Sequence, residues 1–301
     1  MQITGLRYFL AVARTGSIAA ASAQLNVAAS AISRQIANLE AELDCVLFER
    51  RPRGMVPSPA GELLAQHAHQ MLIRSEQVVT EIGELQGLAR GLIRVASSEG
   101  FALDIVPNTV ASFHAAHPGL RFEVTVLPPA QVTQMVAAGE ADLGITFALA
   151  PTTQVEVLYD GQVDMLALAA PDHPLARAPV LRLSDLPNYP VALPTRDTTL
   201  RQVFEAACLH EGIVVEPVLT ANNLSTLLPF VRNSRGLALM SALSVRTPLD
   251  LNALVSLPIA ARASLARGIQ IQAMRDRRLP RAVRGFLRQL MDALPPPKGV
   301  A

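Results

Sequence analysis

The pattern of apolar residues changes once along this chain, near residue 91, and that change limits it to two kinds of domain. Before it, apolar residues recur at helical spacing in successive runs, interrupted only by one short extended hairpin. Beyond it, extended runs such as LIRVASS, RFEVTVL and ADLGITF alternate with helical stretches over 102–116, 130–138, 198–211 and 223–233. A last helix falls near 280–294. Such alternation predicts α/β layers with mostly parallel strands, because the crossover helices must cover the sheet faces. The Pro-rich stretch APDHPLARAPVLRLSDLPNYP suggests two lobes rather than one long sheet. With 301 residues, 50% of them hydrophobic and 17% charged, the chain is long and apolar enough for more than one core.

The first 57 residues read as three helices and a hairpin. LRYFLAVA sets Leu6, Phe9, Leu10 and Ala13 on one face, and Gly16 closes that helix. Ser17 is a cap for a short helix from Ile18 to Gln24 or Leu25, and Asn26 and Val27 make a turn. In the next helix, Ala28 to Leu43, one apolar face holds Ile32, Ile36, Leu39 and Leu43. The opposite face carries Ala29, Ser30, Ser33 and Arg34, with none of the Glu/Lys pairs of a merely solvated helix.

A helix that enters a DNA major groove needs a face of that kind. Its backbone must approach base edges, so bulky side chains are unwelcome except where they make contact. In a helix-turn-helix the second helix does this while the first crosses the DNA backbone. VLFERRPRGMVPS reads as strand, turn, strand, and would carry Arg51 and Arg53 to flanking phosphates or the minor groove. Residues 1–57 hold six arginines against Glu40, Glu42, Asp44 and Glu49, a net +2 concentrated at the hairpin. Spacing alone leaves open a helical bundle that binds another protein.

Ser58 and Pro59 open a long helix over about 59–88. Its stripe of Leu63, Leu64, Ala68, Met71, Leu72, Val78, Val79, Ile82 and Leu85 is too long for a 57-residue domain to cover, so a helix of a second chain is expected against it. QGLARG then acts as a linker. A net charge of +1 excludes a uniformly basic nucleic-acid binder but not a local basic patch. Cys45 and Cys208 lie far apart, with no CxxC and no histidine at ligand spacing, so neither a metal site nor a disulfide is expected. No cofactor is implied. His67 and His69 diverge around their helix, and His114 and His117 lack a third ligand. The arginines from 275 to 288 share a terminal helix with an apolar packing face. No nucleophile, base and orienting group occur together, so an enzyme is not expected. Neither a signal-peptide core nor a run of about 18 apolar residues is present, which reads as a cytoplasmic protein away from membranes.

The order LRYFLAVARTGSIAAASAQLNVAASAISRQIANLEAELDCVLFERRPRG…SPAGELL closely resembles the N-terminal winged helix-turn-helix of LysR-type transcriptional regulators. FHAAHPGLRFEV, GEADLGI and LPFVRNSRGLALMSA sit where that family's effector domain has its counterparts. The chain departs from the family pattern at Ala28, Ala29 and Ser30, where many members carry Ser-Gln-Pro; Ala29 then leaves only a methyl contact, suited to thymine. Asp44 replaces a usual glycine.

The resemblance implies a fold that is α/β with an N-terminal all-α winged helix-turn-helix, its effector part made of two α/β lobes similar to type 2 periplasmic binding proteins. The divisions expected are 1–57 for the DNA-binding domain, 58–91 for the dimerisation helix and hinge, and 92–301 for the effector domain. Lobe I would cover about 92–161 and 268–294, and lobe II about 162–267, with crossings near 159–166 and 266–272. Ligands of such folds bind at strand ends and helix N-termini between the lobes. That rule selects Ser97, Ser98, Thr146 and Phe147 from lobe I and Thr195, Arg196, Thr198 and Thr199 from lobe II. Hydroxyls with one arginine suit a small organic anion. The resemblance further implies double-stranded promoter DNA, a small-molecule effector, a homodimer or homotetramer, and RNA polymerase as partners. The rival is a solute-binding module without gene regulation, and a second is a DNA-binding architectural protein that senses nothing.

Overall fold

Three helices, α1 (Ile3–Thr15), α2 (Ile18–Leu25) and α3 (Ala29–Leu43), open the chain in a computed structural model that describes residues 3–51, 54–85, 91–148, 152–245 and 254–297. Contacts divide the chain into two units, residues 1–88 and 89–301. In the first, Leu6, Phe9, Val12, Ala21, Ile32, Ile36 and Leu39 share one core. The short elements are set by local chemistry. Ser17 accepts the Ala20 N–H at 3.4 Å and caps α2. Asn26 ends α2 in the left-handed region at φ 54, which a short amide side chain tolerates. Asp44 ends α3 in the same way at φ 49, where the related pattern has glycine. Leu43, expected in the buried face of α3, is instead exposed. The turn at Asp44 leads the chain away from α3, and Leu47 and Phe48 fill that end of the core.

A two-stranded hairpin follows, β1 (Phe48–Arg51) antiparallel to β2 (Gly54–Pro57). The Ser58 hydroxyl donates to the Val46 carbonyl at 2.6 Å and accepts the Gly61 N–H at 3.1 Å, so it joins the hairpin to the start of α4 (Pro59–Leu85). Gly61 has no room for a side chain, since a Cβ would stand 2.2 Å from the Leu47 carbonyl oxygen. Leu64 and Ala68 of α4 enter the core, whereas Leu63, Met71 and Val78 are 60%, 44% and 55% exposed. The side chains of Val79, Ile82 and Leu85, and the expected linker at 86–90, lie outside the described residues.

The second unit runs β3 (Gly91–Ser97), α5 (Glu99–Ala102), α6 (Ile105–Ala116), β4 (Leu120–Val126), α7 (Pro129–Ala137), β5 (Leu143–Ala148) and β6 (Glu156–Val163). It continues with β7 (Met165–Ala169), β8 (Leu181–Arg182), β9 (Val191–Pro194), α8 (Thr199–Glu211), β10 (Leu219–Ala221), α9 (Leu224–Asn233), β11 (Leu237–Ser241) and β12 (Val255–Ala260). It ends with β13 (Arg267–Ala273) and α10 (Arg281–Asp292). The strands form two sheets, in the orders β4-β3-β5-β13-β6 and β10-β9-β11-β7-β12-β8. Each sheet has its own core, one around Ile93, Phe101, Ile145, Ile271 and Phe286, the other around Met165, Leu193, Phe204 and Leu239.

Both sheets are mostly parallel, as expected, and each contains one reversed strand. β13 runs antiparallel to β5 and β6, and β7 antiparallel to β11 and β12. The cause is the way the chain passes between lobes. β6 leads out of the first sheet and β13 leads back into it, so the two must lie in opposite directions. The chain crosses from β6 to β7 at Asp164 and returns over 261–266 into β13, so the crossover strands match the expected 159–166 and 266–272. The helix expected over 102–116 is two, α5 and α6. Pro107 lacks an N–H and clashes with the turn before it, so it is tolerated only in the first turn of a restarted helix. Likewise VEPVLTA pairs only over Leu219–Ala221, since Pro217 cannot donate to a ladder. Among the described residues no helix is long and apolar enough to cross a membrane, and no cluster of three His, Cys, Asp or Glu could hold a metal.

Candidate functional site

Two places in the fold can act on other molecules, the outer face of α3 and the cleft between the two lobes. On α3, Ala29, Ser30, Ser33 and Arg34 are all exposed, and Ala37 and Asn38 extend the same face by one turn. Asn38 was not among the residues expected, although it stands one turn after Arg34 on that face. Ala28 supplies no side-chain cap, which leaves the N–H groups opening α3 available to an outside acceptor such as a phosphate. Arg34, Gln35, Asn38 and Glu42 border a hollow of about 300 Å³. In the hairpin Arg51 is exposed and ion-paired to Glu49 at 2.9 Å. A surface pair of that kind contributes little and is readily exchanged for another anion. Arg53 lies outside the described residues.

The cleft between the lobes has a volume of about 390 Å³. Five of the eight expected effector residues line it: Ser98, Phe147, Thr195, Thr198 and Thr199. Two others stand behind its wall. Thr146 is buried, with its hydroxyl 2.8 Å from that of Ser98, and Ser97 turns its hydroxyl back to the Ser98 carbonyl at 2.9 Å.

Arg196 is the correction. It is 81% exposed and reaches Glu205 at 3.3 Å, away from the cleft. Thr198 holds the turn that sends it outward, donating to the Thr195 carbonyl at 2.8 Å and accepting the Arg201 N–H at 3.3 Å as the cap of α8.

The arginine of the cleft is Arg267, the first residue of β13. Its side chain is folded into the wall, and the residue is only 4% exposed. The guanidinium carbon lies 3.7 Å above the centre of the Phe147 ring, and Nη1 donates to the Thr199 hydroxyl at 3.1 Å. Its Nε has no hydrogen-bond partner, and no carboxylate among the described residues is within ion-pair distance. Burial lowers its pKa to about 9. A desolvated cation over an aromatic face gains some attraction from the ring. The rest of its charge is unanswered, and an incoming anion would answer it. Arg267 was missed in the sequence, where its only signal is a charge opening the apolar strand RGIQIQAM.

Across the cleft, Glu99 Oε1 accepts the N–H of Leu224, the first residue of α9, at 2.7 Å. Burial pushes the Glu99 carboxyl up, and the Leu224 N–H pulls it back. Ser244 donates to the Gly100 carbonyl at 3.2 Å. These two bonds tie the lobes together. Asn223 accepts the Thr226 N–H at 2.9 Å and caps α9. The N-termini of α8 and α9 are thus capped from within, whereas those of α5 and α7, which also border the cleft, have no side-chain cap.

Other reactive side chains are absorbed by packing. Burial pushes the Cys208 thiol up to about 11, so it stays protonated and unreactive. The His117 ring pairs with the Phe113 carbonyl at the end of α6, and His114 with that of Leu120. Arg277 bridges Asp142 at 2.5 Å.

Comparison with known proteins assigns both units to one family. Residues 3–62 match the family model of the bacterial regulatory helix-turn-helix protein, lysR family, and residues 86–295 match that of the LysR substrate binding domain. An uncharacterised HTH-type transcriptional regulator of Bacillus subtilis, YvbU, is 28% identical over 81% of this chain and 83% of its own length. Among solved structures, a variant of full-length OxyR from Pseudomonas aeruginosa superposes with a TM-score of 0.74 at 17% identity, covering 97% of this chain and 94% of that one. CbnR complexed with its target DNA gives 0.63 at 19% identity, covering 98% and 100%.

A buried cation without a counter-charge predicts its own test. Replacing Arg267 by a methionine of similar length fills the space while removing a desolvated charge whose cost no counter-charge among the described residues offsets. Thermal unfolding of the Arg267→Met chain without ligand is expected at or above the parent midpoint. A fall of several degrees would mean that the guanidinium is well partnered and structural.

Proposed function

Since the chain belongs to the LysR family of bacterial transcriptional regulators, we propose that it reads promoter DNA with the outer face of α3 and alters that reading when a small organic anion binds Arg267. The chain is a LysR-type regulator with a DNA-binding helix-turn-helix and an effector-binding domain, the latter resembling type 2 periplasmic binding proteins. A solute-binding role without gene regulation leaves residues 3–62 unexplained. The guanidinium of Arg267, which has no ion-pair partner among the described residues, carries the effector reading, since it is their one deeply buried cation in a cleft whose hydroxyls at Ser98, Thr198 and Thr199 can orient a carboxylate.

In this reading Arg34 contacts base edges, Ala29, Ser30 and Ser33 let the helix approach them, and Arg51 with Arg53 holds phosphates. Exposed Leu63, Met71 and Val78 on α4 meet the same helix of a second chain, giving a dimer over a roughly palindromic site. Dimers pair into tetramers, and the DNA-bound form contacts RNA polymerase in the cytoplasm. Ligand acts by favouring one lobe orientation over another, which shifts the population of DNA-binding geometries.

Gel-shift titration on the DNA flanking the chain's own gene separates the two arginine roles. Arg34→Ala is expected to abolish preference over random DNA, a loss of about 1–3 kcal/mol. Arg51→Ala should weaken all sequences alike and reduce the salt slope by about one unit. The division of labour is wrong if Arg34→Ala keeps the preference or if Arg51→Ala alters it. For the dimer, light scattering of the full chain carrying Met71→Glu and Val78→Glu is expected to give a monomer. A persisting dimer would place the interface elsewhere. For the effector, thermal-shift screening of the full chain against organic acids, amines and sugars is expected to yield a stabilising acid. At a hundred times its Kd that acid adds about 2.7 kcal/mol, and Arg267→Met erases the gain. Stabilisation by an acid that Arg267→Met retains would sink this assignment.

A further inference from the structure

The charges of the cleft do not balance for a simple anion. Among the described residues of the lining, Arg267 supplies one buried positive charge, but two carboxylates stand with it, Glu99 and Asp197. Among the described residues, none of these three groups lies within ion-pair distance of an opposite charge. Glu99 is held by a single N–H, that of Leu224 to Oε1, and Asp197 stands exposed just ahead of the α8 cap. An anion seated on Arg267 would leave the two carboxylates of the lining without a counter-charge and add a third negative charge to the cleft. A cation alone would leave the guanidinium buried and unanswered. A neutral molecule would answer neither.

Resting on the reading of this cleft as the effector site, we propose that its ligand is a zwitterion, an amino-acid-like molecule whose carboxylate sits on Arg267 and whose ammonium faces Glu99 and Asp197. Three further observations fit that class. The volume of about 390 Å³ suits a small metabolite. Val126, Leu127, Pro128 and Leu200 line the remaining wall and can cover an apolar body between or beside the charged ends. The Ser98 and Thr146 hydroxyls are 2.8 Å apart and can exchange donor and acceptor roles, so Ser98 can serve a carboxylate oxygen. The ligand also bridges the lobes by its own chemistry. Glu99 belongs to the first lobe and Asp197 to the second, so one ammonium between them draws the lobes together where the Glu99–Leu224 bond already does.

The test is isothermal titration of the full chain with the common α-amino acids, β-alanine and 4-aminobutyrate. For each binder, the carboxylic acid lacking the amine and the methyl ester lacking the anion are titrated too. At least one amino acid is expected to bind, and both analogues should bind about tenfold more weakly or worse, the loss expected for a charge-assisted bond. Glu99→Gln keeps an oxygen for the Leu224 N–H, so it preserves the tie between lobes while removing the charge. It should weaken the amino acid about tenfold and leave the amine-free acid within about twofold. Equal affinity for amino acid and amine-free acid, equal weakening of both by Glu99→Gln, or no binding by any amino acid would each overturn the zwitterion. Binding of amine-free acids that Arg267→Met abolishes would still uphold the broader anion reading. Acid binding that survives Arg267→Met would remove both.

Discussion

A guanidinium held between two lobes, with no opposite charge beside it among the described residues, is the interaction on which the effector unit turns. The backbone crosses between the sheets at Asp164 and over 261–266, and Arg267 begins the strand that completes the second crossing. From there it touches both sides, resting over the Phe147 ring of the first lobe and donating to Thr199 of the second. Whatever binds Arg267 is therefore felt by both lobes at once. Two crossings form a hinge that can absorb a change of angle in a few residues. The Glu99–Leu224 and Ser244–Gly100 bonds join the lobes beside it. Hydrogen bonds of this kind contribute about 0.5–3 kcal/mol each, a size that a ligand's own contacts can exchange.

The DNA-binding unit is built on the opposite logic, with little left open to change. Its core residues come from all of α1 to α4 and the hairpin, and Ser58 joins hairpin to helix through two hydrogen bonds. On the proposed reading, rigid support of that sort would let a face as bare as Ala29, Ser30 and Ser33 approach a groove with one arginine placed upon it. A ligand changes the behaviour of such a head only by favouring one arrangement of the chain over another. The stiffness of the head and the hinge in the effector unit are thus complementary requirements.

Local chemistry was legible in the sequence, and pairings between distant segments were not. The caps at Ser17 and Ser58, the turn at Asn26 and the bare face of α3 depend on neighbours within a few positions, and they stand where spacing placed them. Leu43 continued the right period yet lies past the point where Asp44 turns the chain, which periodicity cannot register. Pro107 did mark the break between α5 and α6, but its apolar surroundings made one long helix look continuous. The mostly parallel direction of the strands was legible, but the one reversed strand in each sheet was not, because it depends on which lobe a strand enters from. The same limit explains the arginines. Arg196 sits beside the cap of α8 in sequence and points outward, whereas Arg267 lies 68 residues from the Thr199 hydroxyl it reaches. Hydroxyls near strand ends mark a cleft; the charge that gives it a preference arrived from the far crossing.

Hydrogen–deuterium exchange of the full chain with and without a stabilising acid tests this account most directly. If the cleft around Arg267 is the effector site, slowed exchange will concentrate at residues 98–100, 198–200, 224 and 267–268, segments that belong to different lobes and meet only there. Protection confined to a single lobe, or to segments away from these positions, would contradict a ligand bridging the lobes through Arg267.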